Sequence, residues 1–277
     1  MSPATTGENR IDAAFARLKA EGKIGLFPYL TAGYPDRESC VRLLGVMAEA
    51  GADAFELGIP FSDPLADGVT MQKTSARALD QGMTLAGAFD IVAEFRQKYD
   101  TPIVMMSYVN PLLAYGFDRL CDDAARLGVD GFIVPDMPLE EAAELGDAAR
   151  KRGLHYVYFL APTSDPGRIE AVGAAASGFI YCVALIGTTG ARSELSAELP
   201  AFLARARAAT TTPLIVGFGI STPAHVAGLV GMADGAIVSS AIANLIEATP
   251  PDQVEAAVGA FVRELKAATS GATAAAR

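Results

Sequence analysis

The segment DAFELGIPFSDPLADG, residues 53–68, begins as an apolar run and continues as a polar turn. A nearly continuous apolar run is typical of a strand that is buried on both faces of a parallel sheet. Pro, Gly, Asp and Ser dominate the second half, and these residue types favour turns. The segment therefore predicts a β-strand that leads directly into a loop, and the part from residue 56 onward holds three carboxylates, Glu56, Asp63 and Asp67.

Seven more apolar runs along the chain are rich in Val, Ile, Phe and Tyr: residues 23–31, 102–108, 131–136, 156–161, 178–183, 213–219 and 235–240. Segments with helix start and stop signals alternate with them, among them residues 35–51, 138–153, 196–210 and 221–233. Eight strand–helix units without a change in composition predict one α/β domain over residues 1–277, a closed (β/α)8 TIM barrel. A doubly wound open sheet would also alternate, but eight regular units favour closure.

Two additions to the regular repeat are expected. A helix at about residues 8–21 precedes the first strand and could cover the barrel floor. The connection after the second strand is long enough for an extra helix, with one helix at 70–81 and another at 84–99. The ends, roughly residues 1–7 and 269–277, are expected to be flexible, since the C-terminal one is of low complexity.

The composition argues against a nucleic-acid-binding protein and against a membrane protein. Half of the 277 residues are apolar, which is ample for a large core, and the net charge of -10 argues against a nucleic-acid surface. No apolar run reaches the roughly 18 residues of a membrane span. The N-terminus lacks the basic-then-apolar pattern of a signal peptide, so we expect a cytoplasmic protein without a membrane contact.

The positions of the cysteines and histidines argue against a disulfide framework and against a metal site. Cys40, Cys121 and Cys182 are far apart and odd in number, which indicates no disulfide framework and fits a reducing cytoplasm. His155 and His225 have no Cys or His at ligand spacing. We therefore expect no metal site.

Glu56 is the first candidate for catalysis. Side chains alternate along a strand, so Ala54 and Glu56 share one face while Phe55 and Leu57 share the other. The bulky apolar pair should face the helices, which would turn Glu56 into the barrel mouth. Burial there would raise its pKa toward neutrality and suit a general acid or base. The alternative is a structural glutamate that hydrogen-bonds to the backbone or to a Thr or Tyr.

Asp63 and Asp67 fall in the loop after that strand, at the end of the barrel where this fold carries its active sites. Either could simply cap a turn or a helix start. A loop acid that closes over the barrel mouth is the functional alternative, and the residues alone leave both open.

A second signal lies at the other side of the mouth. GFGIST, residues 217–222, is a Gly-rich turn after strand seven, and Ser239 and Ser240 lead from strand eight into a helix. The loops after these two strands often bind phosphate in this fold, through backbone N–H groups and a helix N-terminus. The Gly- and Thr-rich loop at 186–194 could cover the same phosphate.

The chain resembles the tryptophan synthase α subunit family. The resemblance rests on ELGIPFSDPLADGVTMQ at residues 56–72 and continues, in order, through PYLTAGYPD, NPLLAYG, PDMP, TGAR and GFGIS, at 28–36, 110–116, 135–138, 189–192 and 217–221. It implies a TIM barrel with extra helices. It also implies reversible cleavage of indole-3-glycerol phosphate to indole and glyceraldehyde 3-phosphate without a cofactor.

The resemblance also implies roles for individual residues. Glu56 and Asp67 match the two catalytic carboxylates, and Tyr181 matches a tyrosine near Glu56. The positions implied to bind substrate are Tyr29, Ile59 and Met106 around the indole, Thr189 as a bonding partner of Asp67, and Gly190, Gly219, Ser239 and Ser240 around the phosphate. Ser239 and Val69 depart from the commoner Gly and Pro of the family, and LIGTTGAR differs upstream of Thr189.

A partner follows from the same resemblance. The family passes indole to a β subunit that carries pyridoxal phosphate, typically as α2β2, and we expect Asp63 and Pro64 to contact it. A free-standing lyase that releases indole would keep the same scaffold and acids. A silent activator of the β subunit is disfavoured by the intact acids, and a phosphate-sugar isomerase would leave residues 56–68 unexplained.

Overall fold

The computed structural model describes residues 9–184 and 196–270. Its eight parallel strands form a closed barrel in which each pairs with the next along the chain and the last pairs with the first. The TIM barrel is therefore confirmed. The strands are β1 (Gly25–Thr31), β2 (Phe55–Gly58), β3 (Ile103–Met106), β4 (Gly131–Ile133), β5 (His155–Leu160), β6 (Ile180–Val183), β7 (Leu214–Gly217) and β8 (Gly235–Val238).

Helices surround the barrel, including both additions to the regular repeat. The helices of the described chain are α1 (Arg10–Glu21), α2 (Arg37–Glu49), α3 (Val69–Asp80), α4 (Leu85–Phe95), α5 (Val109–Tyr115), α6 (Phe117–Leu127), α7 (Ala143–Arg150), α8 (Pro166–Ala175), α9 (Leu199–Ala209), α10 (Pro223–Leu229), α11 (Ser240–Ala248) and α12 (Val254–Ala267). Most elements are shorter than the segments predicted for them, because apolar runs continue past the last sheet hydrogen bond and the helix start and stop signals extend beyond the helices themselves.

Two layers of apolar side chains make the core. The inner layer fills the barrel and includes Phe27, Ala54, Val104 and Ile215. The outer layer lies between strands and helices and includes Phe55 and Leu57. The alternation expected for β2 is therefore confirmed, and it leaves Glu56 on the inner face.

Helix α1 closes the amino-terminal end of the barrel, as expected. Asn9 caps it by accepting a hydrogen bond from the Ile11 N–H at 2.9 Å. Phe15 stacks on Phe27 with ring centroids 5.8 Å apart and lies 6.3 Å from the Phe179 ring. Aromatic contacts thus pack α1 against the amino-terminal end of the barrel.

Three aspartates fasten the same end of the barrel. Each precedes an even-numbered strand and accepts a hydrogen bond from a backbone N–H of the strand before it: Leu26 to Asp53 at 2.9 Å, Ile103 to Asp130 at 2.7 Å and Leu214 to Asp234 at 2.7 Å. Asp130 also pairs with Arg10 and Arg96, at 2.9 and 3.0 Å. Asp53 and Asp130 are buried and Asp234 is partly exposed, and all three serve the structure, since function in this fold lies at the opposite end.

The C-terminal end differs in part from expectation. Ala268–Ser270 form a short 3-10 helix, and Thr269 is fully buried. Its carbonyl accepts the Ile24 N–H at 3.2 Å, which joins it to the start of the barrel wall. Residue 269 is therefore packed against the barrel. The rest of that end, and the N-terminal end at residues 1–7, lie outside the described residues.

Candidate active site

A cavity of about 330 Å³ opens at the carboxyl ends of the strands. One part of its lining is acidic, with Glu56 and Asp67. The remaining residues on which the argument depends are aromatic or apolar (Tyr29, Met106, Phe159, Tyr181 and Phe218) or carry small polar groups (Gly219, Ser221, Ser239, Ser240, Thr70 and Asn244). The cavity volume lies within the usual range for small-molecule sites.

Glu56 is a buried acid, and its Oε2 atom has no hydrogen-bond partner in the described part of the chain. Strand β2 places it opposite Tyr29 of β1 and Val104 of β3, and the residue is 4% exposed. Among the described residues, none hydrogen-bonds its Oε2 atom. Burial, together with the negative charge of Asp67, raises the pKa of Glu56 to about 8. The expected inward position and raised pKa are both found, and within residues 9–184 and 196–270 no hydrogen bond to Oε2 supports the structural alternative.

Asp67 lies in the loop after β2, beside Glu56 in the cavity wall. Burial raises its pKa to about 6, and a hydrogen bond from the Tyr108 hydroxyl opposes that rise. The same hydroxyl accepts the Ala66 N–H at 3.0 Å, and Gln72 Nε2 donates to the Asp67 carbonyl at 2.9 Å. Side chains on both sides of Asp67 therefore hold this part of the loop.

Tyr181 lies on the inner face of β6 and lines the cavity, as the resemblance implies for a tyrosine near Glu56. Its ring stacks on Phe159 at 4.8 Å and meets Phe218 edge-on at 5.9 Å. Burial and then the charge of Glu56 raise its pKa well above the ordinary value. The phenol is therefore neutral and can act only as a hydrogen-bonding or packing group.

Tyr29 and Met106 are found in the apolar wall of the cavity, but Ile59 is not. Ile59 is 4% exposed and packs in the outer layer. The reason is strand parity, because Ile59 continues the face of Leu57 rather than that of Glu56. Its assignment to the indole pocket is therefore corrected.

Three aromatic residues of the site, Phe159, Tyr108 and Phe218, were not among the predicted site residues. Phe159 and Tyr108 follow inward-facing residues of β5 and β3 by two positions, so alternation could have found both. Phe218 lies inside the GFGIST motif and has φ 64, in the left-handed region that non-Gly residues seldom adopt. Such a residue at a cavity wall is a frequent mark of a functional turn.

The candidate phosphate-binding residues come together on the far side of the cavity. Gly219, with φ 87, follows Phe218 in the turn after β7, and Ser239 and Ser240 stand at the start of α11. All three line the cavity. Backbone N–H groups at a helix start are suited to an anion. Thr189 and Gly190 lie outside the described residues.

The two loop residues predicted to contact a partner lie outside the cavity lining. Asp63 is exposed and accepts a hydrogen bond from the Ser62 hydroxyl at 2.5 Å, and neither Asp63 nor Pro64 lines the cavity. Leu65 between them and Asp67 is 89% exposed. Val69, by contrast, lines the cavity as the first residue of α3. Pro is favoured there, but no rule of helix geometry requires it.

This arrangement defines a class of protein. A closed parallel barrel, two carboxyl groups of raised pKa and an anion-binding turn across an apolar cavity together indicate a TIM-barrel enzyme. It performs acid–base chemistry on a compound that has both an apolar part and an anionic part. Among the described residues, no cluster of His, Cys, Asp or Glu is suited to a metal.

Comparisons with known proteins give the family. The family model described as tryptophan synthase alpha chain matches residues 15–270. The tryptophan synthase alpha chain of Chloroflexus aggregans is 49% identical over 94% of this chain and 98% of that protein. That of a Roseiflexus strain is 52% identical over 93% of this chain and 99% of that protein. The crystal structure of the Legionella pneumophila alpha chain aligns with TM-score 0.87 at 34% identity, covering 97% of this chain and 100% of that one.

The chain belongs to the tryptophan synthase alpha chain family. It is a carbon–carbon lyase of tryptophan biosynthesis, and the compound cleaved in this family is indole-3-glycerol phosphate. The family reaction needs no cofactor in this chain, and membership implies partnership with a β subunit. Within residues 9–184 and 196–270, no helix has the length and apolar character needed to cross a membrane.

Proposed function

We propose that Glu56 is the general acid and base of the cleavage and that Asp67 stabilises the charge on the indole ring. The observation that carries the proposal is the state of Glu56. It is buried without a hydrogen bond to Oε2 among the described residues, and its pKa is raised to about 8. A carboxyl group in that state is protonated at neutral pH and can donate a proton.

The reaction is a retro-aldol cleavage of the bond between indole C3 and the glycerol chain. Protonated Glu56 donates its proton to C3, which leaves a positive charge on the ring nitrogen. Ionised Asp67 accepts the ring N–H and stabilises that charge. As the carbon–carbon bond breaks, its electron pair returns to the ring. The glycerol hydroxyl forms the aldehyde and gives its proton to the Glu56 carboxylate, which restores the acid.

The two pKa values set the working pH. Glu56 must be protonated to begin, which holds below about 8, and Asp67 must be ionised, which holds above about 6. The rate should therefore be highest between these values and fall on both sides. Without burial, both groups would be ionised at neutral pH and no acid would be present.

The two ends of the substrate bind to different walls of the cavity in this proposal. Tyr29 and Met106 hold the indole ring, and neutral Tyr181 packs beside Glu56 and keeps its surroundings apolar. Gly219, Ser239 and Ser240 hold the phosphate with backbone N–H groups and the serine hydroxyls. The resemblance adds Thr189 as a partner of Asp67 and Gly190 as a phosphate contact.

The β subunit docks on the carboxyl-end face of the barrel, with Asp63 and Pro64 in the contact. Support comes from the exposure of Asp63 and Leu65 in the loop that also carries Asp67. Docking there would favour the productive position of the acid. The assembly is an α2β2 complex in the cytoplasm, and pyridoxal phosphate is bound only by the β partner.

The test is indole release from indole-3-glycerol phosphate, with and without a β subunit, for the wild type, Glu56→Gln and Glu264→Gln. Glu264 is an exposed acid on α12 and serves as the matched control. We expect release by the wild type and the control, acceleration by the β subunit and a loss of at least about 100-fold for Glu56→Gln. Full activity of a folded Glu56→Gln variant would refute the assignment, and release that no β subunit accelerates would favour a free-standing lyase.

A further inference from the structure

The phosphate end of the cavity has an unusual charge balance. None of the described residues that line the cavity carries a positive charge, and two of them, Glu56 and Asp67, are acids. The whole chain has a net charge of -10. Within the described lining, a phosphate would therefore be held by neutral hydrogen-bond donors.

Asn244 is a neutral donor at this end that neither the motifs nor the family resemblance singled out. It lies four residues after Ser240 on α11, so the two side chains share one face of the helix. Side chains of a helix lean toward its N-terminus, which brings the Asn244 amide toward the helix start. Both residues line the cavity.

A hydrogen bond from a second helix fixes the orientation of that amide. The Thr70 hydroxyl donates to Asn244 Oδ1 at 3.2 Å. Because the amide oxygen is engaged there, the Nδ2 group, with its two N–H donors, is the end left to a ligand. Thr70 stands in the first turn of α3 and also lines the cavity. The pair therefore forms one wall of the cavity from two helices that are far apart in sequence.

We propose that Asn244 binds the phosphate of the substrate through its Nδ2 group and that Thr70 holds the amide in the orientation this requires. The inference rests on the proposed function, since it adds a contact to the phosphate site formed by Gly219, Ser239 and Ser240. Asn244 is a binding residue, and Thr70 is a positioning residue that acts through it.

The test compares three substitutions in the wall. Asn244→Ala removes donor and acceptor together. Asn244→Asp keeps an oxygen for Thr70 but replaces the donors by a charge that repels phosphate, and Thr70→Val removes the hydroxyl with little change in shape. Glu247→Gln is the matched control. Glu247 lies on the same helix, accepts the Tyr34 hydroxyl at 2.7 Å and pairs with Arg77 of α3 at 3.6 Å, but does not line the cavity.

Calorimetry with glycerol 3-phosphate and, separately, with indole gives the readout. We expect phosphate affinity to fall about 10-fold in Asn244→Ala, about 30-fold or more in Asn244→Asp and about 3-fold in Thr70→Val, as for the loss of hydrogen bonds to a charged group. Indole affinity should stay unchanged in all variants, which also confirms that they fold. The KM for indole-3-glycerol phosphate should rise more than kcat falls.

The outcomes separate this inference from the proposed function. Unchanged phosphate affinity in both Asn244 variants, with normal wild-type binding and indole release, would overturn the inference alone. An equal loss in Glu247→Gln would overturn it too, because the effect would then come from the contact between α3 and α11. A wild type that neither binds glycerol 3-phosphate nor releases indole would overturn both.

Discussion

Replacing Glu56 by Gln should make the protein less active and more stable at the same time. In the unfolded chain this carboxyl group loses its proton near pH 4.5, but in the folded protein its pKa is about 8. Between these values the folded state holds a proton that the unfolded state has lost. The free energy of unfolding therefore falls as the pH rises through this window, since releasing the proton favours the unfolded chain.

The size of the effect follows from the same two pKa values. One pKa unit corresponds to about 1.4 kcal/mol, so keeping Glu56 protonated costs about 3 kcal/mol at pH 7 and levels off near about 5 kcal/mol above pH 8. Gln has nearly the same shape and is neutral at every pH. The variant and the wild type should therefore be about equally stable near pH 5, and the variant should gain steadily up to about pH 8. Its turnover should fall at least about 100-fold.

Urea unfolding followed by circular dichroism, from about pH 5 to about pH 9, measures this difference. The chain has no Trp, so intrinsic fluorescence is a weaker probe. Glu264→Gln serves again as the control and should follow the wild type. Unfolding free energies of the variant and the wild type that change in parallel with pH would refute the reasoning, because Glu56 would then titrate alike in both states.

Three further predictions follow from the site. Asp67→Asn should lower kcat by about 100-fold with a smaller change in substrate affinity, since the charge it opposes develops on the way to the transition state; a change in affinity alone would make Asp67 a binding residue. Tyr108→Phe removes a hydrogen bond that lowers the pKa of Asp67, so the acid limb of the kcat/KM profile should move to higher pH; an unmoved limb would contradict that contact. Gly219→Val places a β-branched residue at φ 87, so it should weaken glycerol 3-phosphate binding more than indole binding; equal losses would mean that the whole cavity had collapsed.

Strand parity explains both a success and an error of the sequence analysis. The rule that put Glu56 inside the barrel needs only its neighbours Phe55 and Leu57, which the sequence displays. The same rule, carried to Ile59, puts that residue on the outer face, where it is found. Its placement in the indole pocket came from the family resemblance and not from parity. Local pattern was thus the better guide to the direction of a side chain.

The sequence also indicates the boundary between helices α5 and α6, but it does not indicate contacts between distant residues. Helix α6 buries Phe117, Leu120, Cys121 and Ala124, a spacing typical of one helix face. Gly116, with φ 88, separates it from α5 and interrupts the pattern that a single long helix would show. The contact between Thr70 and Asn244 joins residues 174 positions apart, and only the closed barrel brings them together. No local pattern could have indicated it.

Asp130 and Glu56 are buried acids at opposite ends of the barrel, and they differ in their hydrogen-bond partners. Asp130, at the amino-terminal end, is as buried as Glu56, but a backbone N–H and two arginines share its charge. Burial raises the pKa of Asp130, and these partners oppose that rise by stabilising the charged form. Glu56, at the carboxyl end, has no hydrogen-bond partner for Oε2 among the described residues and is easier to bury as the neutral acid. The same burial that lowers stability at Glu56 is what makes a proton available at neutral pH, so the proposed reaction depends on a residue that the fold holds at a cost.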